Sequence, residues 1–276
     1  MRELAIGVIV PMNAEIGAKF ERLQQMDIPT CQLSCFEASL MTDDMAGLVK
    51  QAAQSYAIEI TAFWCGWPPP RFWNFYEGPA TLGLVPPAYR SGRLEILLHG
   101  SDFAKKLGIS DLITHVGFIP ENPNDPDYIG VVHALKHLVT RCQANDQYFL
   151  FETGQETPVT LKRVIEDIGL PNLGVNLDPA NLLMYGKANP LDAIDLFGNL
   201  IRGVHAKDGE YPVGAKELGI ETPLGEGRVN YPEFINKLKR LGYSGAITIE
   251  REIEGEEQIR DIITAKKLLE SWIASD

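Results

Sequence analysis

The sequence predicts an α/β protein that folds as a single (β/α)8 TIM barrel over residues 1–276. Short β-rich segments alternate with amphipathic helical segments along the whole chain, and this alternation indicates a parallel sheet with helices packed outside it. Eight such pairs can be counted, which is the number that closes into a barrel. The length agrees with this fold, because a barrel of this kind needs about 250 residues.

The predicted strands are apolar segments bounded by Gly, Pro or polar residues. They lie at residues 4–10, 30–35, 58–65, 112–117, 148–152, 173–178, 201–206 and 246–250. Helices are predicted between them, at residues 14–26, 43–56, 91–107, 129–144, 158–168, 190–198, 231–241 and 256–274. Gly108, Gly169 and Gly242 follow three of these helices, as is typical of helix ends.

An open, doubly wound sheet is the alternative arrangement of parallel strands. Such a sheet normally carries a Gly-rich phosphate turn after its first strand, and the segment PMNAE at 11–15 lacks one. No linker rich in Pro, Gly or Ser divides the chain. Two long loops, 66–90 and 208–230, are expected to cover the C-terminal mouth of the barrel, where active sites of this fold lie. A purely structural flap is the alternative for the first loop.

The charge of the chain restricts its partners. The formal net charge is −12 and no basic stripe is visible, which argues against nucleic acid and anionic membranes. A small substrate is therefore the expected partner, and assembly into a homo-oligomer is compatible with the sequence. No apolar run reaches the roughly 18 residues of a membrane span, and no signal peptide is recognisable. Four cysteines do not suggest a disulfide scaffold, so a cytoplasmic location is expected.

Four ionisable residues close the last four predicted strands: Glu152, Asp178, His205 and Glu250. A charge at the end of an apolar strand is costly to bury without a partner. Three carboxylates brought to one end of a barrel would also repel each other unless a cation lay between them. Carboxylate oxygens with one imidazole suit Mn²⁺, Mg²⁺, Co²⁺ or Zn²⁺. Taken singly, these residues have ordinary alternatives as helix caps, a turn residue or a core histidine.

Two further residues near these strands are candidates for binding substrate. Lys207 follows His205 by two residues, so strand alternation places both on one face, where the ammonium could bind an oxyanion. A surface ion pair with Asp208 is the alternative. Glu156 could orient the side chain of Glu152, four residues before it.

Three more candidates for contacting substrate come from other parts of the chain. His115 closes the fourth predicted strand, and a structural role is its alternative. Arg228, in GEGR, either reaches the substrate across the mouth or lies in a turn. Trp67 belongs to an aromatic group that also contains Trp64, Phe72 and Trp73. This group could face the carbon side of a sugar, or it could simply pack the first loop onto the barrel.

Several short segments resemble the xylose isomerase-like TIM barrels. They are ETGQET (152–157), LDPAN (177–181), GVHAKDG (203–209), PLGEGRVNYPEF (223–234) and GYSGAITIERE (242–252). In that family a Glu, an Asp, a His and a Glu on strands five to eight bind a metal. The resemblance therefore assigns Glu152, Asp178, His205 and Glu250 as ligands of a divalent ion, with Mn²⁺ as the first expectation.

The resemblance implies a metal-dependent isomerase or epimerase acting on a sugar, a sugar phosphate or a related hydroxy-carbonyl compound. Glu152 and Glu250 would transfer the proton on opposite faces of the substrate. An inosose dehydratase-like lyase, or a barrel that binds a polyol without catalysis, are the alternatives. Asn181 departs from ketohexose epimerases, which usually have a His there. Glu37 and His115 could correspond to extra ligands of endonuclease IV, but the negative net charge argues against a DNA repair role.

Overall fold

Eight parallel strands close into a barrel in the computed structural model, which describes residues 4–275. Each strand pairs with its neighbours along the chain, and the last pairs with the first through Ile6–Ile247, Gly7–Thr248 and Val8–Ile249. This arrangement confirms the predicted TIM barrel. The strands are β1 (Ile6–Pro11), β2 (Thr30–Cys35), β3 (Glu59–Cys65), β4 (Asp111–Thr114), β5 (Tyr148–Glu152), β6 (Leu173–Leu177), β7 (Ile201–Ala206) and β8 (Ile247–Ile249).

The long helices begin and end at residues with clear conformational preferences. Four of them have Pro as their first residue, where the missing N–H costs nothing. Gly108, Gly169 and Gly242 end three helices with φ angles of 77°, 67° and 79°, which glycine adopts without strain. The long helices are α1 (Ile16–Gln25), α2 (Asp43–Tyr56), α3 (Pro87–Leu107), α4 (Pro126–Ala144), α5 (Pro158–Ile168), α6 (Pro190–Phe197), α7 (Tyr231–Leu241) and α8 (Glu256–Ala274). Within residues 4–275, none combines the length and apolar character that a membrane crossing requires.

Some predicted boundaries were wrong, each for a local reason. Helices α3 and α4 begin earlier than predicted because Pro87 and Pro126 occupy their first turns. Strand β4 ends at Thr114, not at residue 117. The carbonyl of Val116 instead accepts a hydrogen bond from the N–H of Leu84, at 2.8 Å, so this backbone pairs with the first long loop.

Both long loops contain ordered structure that the sequence did not reveal. The first includes a short helix, Gly78–Thr81. The second forms a small antiparallel sheet in which Asp208–Gly209 pairs with Glu221–Thr222. The Asp208 carboxylate accepts hydrogen bonds of 2.9 to 3.1 Å from four backbone N–H groups of this loop, those of Gly209, Gly225, Gly227 and Val229. These bonds fix the loop against the end of β7.

The barrel interior differs from the larger core between strands and helices. Side chains alternate along each strand, so one set faces outward and the other inward. The outward set joins the helices in one extensive apolar core. The inward set includes a separate apolar cluster of Ala62, Trp64, Ile113 and Leu150. Buried polar side chains, among them Gln32, Asn176 and His205, also lie on this inner face.

Gly83 holds the contact between the first long loop and the residues that follow β4. Its φ is +69°, and an added Cβ would lie 1.8 Å from the carbonyl oxygen of Val116. We expect Gly83→Ala to lower the free energy of unfolding by about 2 kcal/mol or more, measured by urea denaturation. The control is Gly47→Ala, on the exposed face of α2 with no atom within 4 Å. It should raise stability by about 0.5–1 kcal/mol. Equal stability of the Gly83→Ala variant and the wild type would contradict this account.

Candidate metal centre

Four metal-ligand side chains meet at the carboxyl ends of β5 to β8. Glu152 is the last residue of β5, Asp178 follows β6, His205 lies one residue before the end of β7, and Glu250 follows β8. Parallel strands end at the same side of the barrel, so these side chains converge there. One ligand atom from each lies within 4.8 Å of the other three. The structure thus brings together the four residues that the sequence analysis selected.

His205 lies between the three carboxylates. Its Nδ1 is 3.1 Å from Glu152 Oε1, 3.5 Å from Asp178 Oδ2 and 3.0 Å from Glu250 Oε2. Among residues 4–275, His205 Nδ1 and Asp178 Oδ2 have no hydrogen-bond partner although both are buried. Buried polar atoms are seldom left without a partner. An imidazole nitrogen and a carboxylate oxygen that lack hydrogen-bond partners and face the same point fit a divalent cation.

Two of the carboxylates have their second oxygen held elsewhere. Glu152 Oε2 accepts a hydrogen bond from the indole N–H of Trp64. Asp178 Oδ1 accepts one from the backbone N–H of Asn181, at 2.8 Å, and caps the short helix Pro179–Met184. Asp178 therefore acts as a helix cap through Oδ1 while Oδ2 faces the other ligands. A structural role for Asp178 at the start of this helix is therefore compatible with a role as a metal ligand.

The orientation of the His205 ring is set by two buried amides. His205 Nε2 lies 2.8 Å from Gln32 Oε1, and Gln32 Nε2 donates to Asn176 Oδ1 at 3.1 Å. Since Gln32 uses its NH₂ group on Asn176, its carbonyl oxygen faces His205 and accepts from Nε2–H. Nδ1 then faces the carboxylates, where its lone pair would be available to a metal ion that replaces the proton. Gly203 leaves room for this network, because a Cβ there would lie 2.2 Å from Asn176 Oδ1.

Burial and mutual charge shift the pKa values of this cluster strongly. Burial raises the pKa of Asp178 to about 7. Burial also acts to raise the pKa of Glu250, but Lys207 and His205 outweigh it and hold that pKa well below its usual value. For His205, burial lowers the pKa, yet Glu152 and Glu250 outweigh it and leave the pKa well above its usual value. The carboxylates thus favour positive charge at this point, whether a proton or a metal ion supplies it.

Lys207 adds a second buried cation beside the cluster. Its Nζ is 3.4 Å from Glu250 Oε2, 3.2 Å from Glu252 Oε1 and 3.9 Å from Asp178 Oδ2. Burial lowers the pKa of Lys207, but the neighbouring carboxylates, Glu250 first, raise it well above its usual value. The ion pair with Asp208 that was considered from the sequence is not formed, because Asp208 bonds to loop backbone instead.

A cavity of about 280 Å³ reaches this cluster at Glu250 and Glu252. It lies at the mouth of the barrel, and its wall is largely aromatic and apolar. His115 is part of the wall, and its Nε2 is 3.5 Å from Glu152 Oε1. The lining residues are Ile9, Ser34, Phe36, Trp64, Trp73, His115, Asn181, Met184, Tyr185, Leu218, Glu250 and Glu252. A larger cavity of about 610 Å³ lies at the opposite end, where Thr30, Glu59 and Asp111 begin their strands, and none of the four ligands lines it.

Among the five predicted substrate-binding residues, His115 alone lines the cavity; Lys207 is paired with Glu250 and Glu252, and the other three are enclosed or directed elsewhere. Trp67 is fully buried behind the wall, its ring stacked on Trp64 with centroids 6.3 Å apart. Burial raises the pKa of Glu156 to about 8, and its carboxyl group is enclosed beneath the surface. Arg228 points outward and forms an ion pair with Glu210. Direct contact of these three with a substrate in the cavity is therefore not supported.

The sequence analysis missed two residues that position the ligands. Thr153 Oγ1 donates to the carbonyl of Asp178 and accepts from its N–H, both at 2.9 Å, which ties the ends of β5 and β6 together. Gln32 orients His205 as described above. A signal for Gln32 was present, since a single Gln within the apolar segment TCQLSC must find a buried partner. Thr153 carried no comparable signal.

The sequence of this barrel matches a known family along most of its length. The family described as "Xylose isomerase-like TIM barrel" matches residues 20–271. The chain belongs to this family. The crystal structure of a xylose isomerase domain protein from Planctomyces limnophilus has a TM-score of 0.91 and 32% sequence identity, covering 98% of this chain and 97% of that one.

Sugar epimerases are among the proteins that this xylose isomerase-like barrel resembles. D-psicose 3-epimerase from Clostridium cellulolyticum H10, solved with D-tagatose, has a TM-score of 0.73 over 99% of this chain and 100% of that one, and its 13% identity indicates a shared fold alone. A putative L-ribulose-5-phosphate 3-epimerase from Haemophilus influenzae is 35% identical over 109 residues, 38% of this chain and 36% of that protein. The curated relatives match this chain over only 36% to 41% of their own lengths.

Gln32 should affect metal affinity without touching the metal. We expect Gln32→Leu to weaken Mn²⁺ binding about 10- to 100-fold, because the His205 ring loses the partner that fixes its tautomer and direction. Isothermal titration of the purified variant measures this affinity, and circular dichroism checks that it is folded. Gln51→Leu, on the exposed side of α2, is the matched control and should bind as the wild type does. Unchanged Mn²⁺ affinity in a folded Gln32→Leu variant would exclude this role.

Proposed function

We propose that this chain is a divalent-metal-dependent isomerase or epimerase that acts on a sugar, a sugar phosphate or a related hydroxy-carbonyl compound. One observation carries the proposal: three carboxylate oxygens and an unpaired imidazole nitrogen converge within 4.8 Å, next to a cavity at the mouth of the barrel. The epimerases among the similar proteins support the same reaction class.

The residues proposed to hold the cation are Glu152, Asp178, His205 and Glu250. Their oxygen ligands and single imidazole suit Mn²⁺, Mg²⁺, Co²⁺ or Zn²⁺. Mn²⁺ is the first expectation because of the resemblance to the xylose isomerase-like family. A cation bound there supplies Lewis acidity, which makes a C–H group beside a carbonyl easier to deprotonate. Lys207, beside the same carboxylates, adds a fixed positive charge that keeps Glu250 ionised.

Proton transfer is proposed to depend on Glu152 and Glu250. They come from β5 and β8, which are separated by β6 and β7 in the barrel, so they approach the site from different sides. Glu250 lines the cavity, so its carboxylate can reach a bound substrate and accept a proton from carbon. Return of a proton to the opposite face of the same carbon gives epimerisation, and return to the adjacent carbon gives aldose–ketose isomerisation.

Replacing Glu250 should abolish proton exchange. We expect Glu250→Gln to lower the rate of solvent deuterium incorporation into recovered ketose by roughly 10²- to 10⁴-fold, because the amide cannot accept the proton. The rate is measured by mass spectrometry with Mn²⁺ and a panel of ketopentoses and ketohexoses. Glu166→Gln, on the exposed face of α5, is the control and should exchange at the wild-type rate.

The same panel separates the proposal from its alternatives. Loss of water from an inosose, with a dione as product and no exchange into ketoses, would indicate a lyase. Tight binding of a polyol with no exchange and no product would indicate a barrel that only binds its ligand. Either result would refute the proposed isomerase or epimerase.

A further inference from the structure

We propose that the site selects an uncharged monosaccharide and discriminates against the phosphate ester of the same sugar. This inference rests on the proposed function and names the substrate class of that same cavity. It follows from the charges and shapes of the residues that enclose the cavity.

The wall of the cavity offers no cation to a phosphate group. Among residues 4–275, no Lys or Arg lines it, whereas Glu250 and Glu252 both do. Sites that bind phosphate use Arg or Lys side chains, or the N–H groups at a helix start, to balance its charge. Glu252 lines the cavity and its side chain is 57% exposed, so its carboxylate lies where the cavity meets solvent.

Lys207 does not supply the missing positive charge. Its ammonium is buried and lies within 4 Å of Asp178, Glu250 and Glu252. Three carboxylates therefore share this lysine, and Glu152 adds a fourth negative charge beside Asp178 and Glu250. A bound divalent cation would still leave an excess of one negative charge. A phosphate dianion brought into this cavity would meet net repulsion.

Arg71, Lys187 and Arg228 lie near the mouth but are not part of the cavity lining. The guanidinium of Arg71 lies 4.5 Å from the ring centroid of Phe36 and donates to the carbonyl of Trp67, at 2.9 Å. Lys187 and Arg228 line a separate groove of about 470 Å³ that shares no residue with the cavity. The phosphate group of a sugar phosphate bound in the cavity would therefore make no direct contact with Arg71, Lys187 or Arg228.

The size and wall of the cavity suit a free sugar. Its volume of about 280 Å³ is at the small end of the range for ligand pockets, which favours a monosaccharide. Phe36, Trp64, Trp73 and Tyr185 present aromatic rings, against which the C–H face of a sugar packs well. An uncharged sugar gains this contact without the repulsion that a phosphate would bring.

Matched pairs of substrates test this selectivity in the full Mn²⁺-loaded chain. The pairs are D-fructose with D-fructose 6-phosphate, and L-ribulose with L-ribulose 5-phosphate. We expect the kcat/KM for solvent deuterium exchange to be about 100-fold higher for the free sugar of at least one pair. An equal or higher kcat/KM for the phosphate esters would overturn the inference while leaving the proposed function intact.

Binding measurements distinguish the failure of this inference from that of the proposed function. Each sugar and each ester is titrated calorimetrically into the loaded protein. Binding of a free sugar but not of its ester, without any exchange, would support the selectivity and refute the proposed isomerase or epimerase. Tighter binding of the ester would overturn the selectivity even if nothing is turned over.

A variant that removes the charge of Glu252 tests whether this residue causes the selection of the free sugar over its phosphate ester. Glu252→Gln removes one carboxylate and releases Lys207 from one of its partners, so we expect the kcat/KM for the esters to rise roughly threefold to tenfold. Glu254→Gln makes the same charge change at an exposed position outside the cavity and is the control, with no change expected. An equal rise in both variants would assign the effect to overall charge and contradict a role for Glu252.

Discussion

Burial of three carboxylates around one imidazole is the constraint on which the rest of this structure depends. Glu152, Asp178 and His205 are almost fully enclosed at the barrel mouth. Such a group of charges is stable only if a cation balances it and if its remaining atoms are hydrogen-bonded. The protein meets the second condition by holding one oxygen of Glu152 and one of Asp178 with N–H donors, which leaves the other oxygens free to face a common centre.

The barrel interior supports this site more directly than the surrounding helices do. Gln32 and Asn176 reach across the interior from β2 and β6 and set the direction of the His205 ring. Thr153 joins the ends of β5 and β6 through two hydrogen bonds to Asp178. Each of these groups lies on a strand or at its end, so the ligands are held by the most rigid part of the fold. The polar side chains on this part of the inner face therefore serve to orient the residues of the candidate metal centre.

The two halves of the site come from different parts of the fold. Strands β5 to β8 supply the ligands and the proposed proton-transfer groups. The first half of the chain and the loops supply most of the cavity wall, including Phe36, Trp64 and Trp73. Chemistry and substrate choice can therefore change separately in such a barrel, which is why the ligand set by itself does not distinguish an epimerase from a lyase.

Periodicity and strand order sufficed to predict the barrel, its eight strands and the meeting of Glu152, Asp178, His205 and Glu250, because a side chain that ends a parallel strand must lie at the shared mouth whatever the packing details are. The positions of Trp67, Glu156 and Arg228 could not be predicted this way. They lie in loops or beyond strand ends, where side-chain direction follows contacts made by distant residues, such as Trp67 with Trp64 and Arg228 with Glu210. The hydrogen-bond partners of Gln32, and the lack of Lys or Arg among the described residues that line the cavity, were decided only when the chain closed. Both depend on which side chains tertiary structure brings face to face.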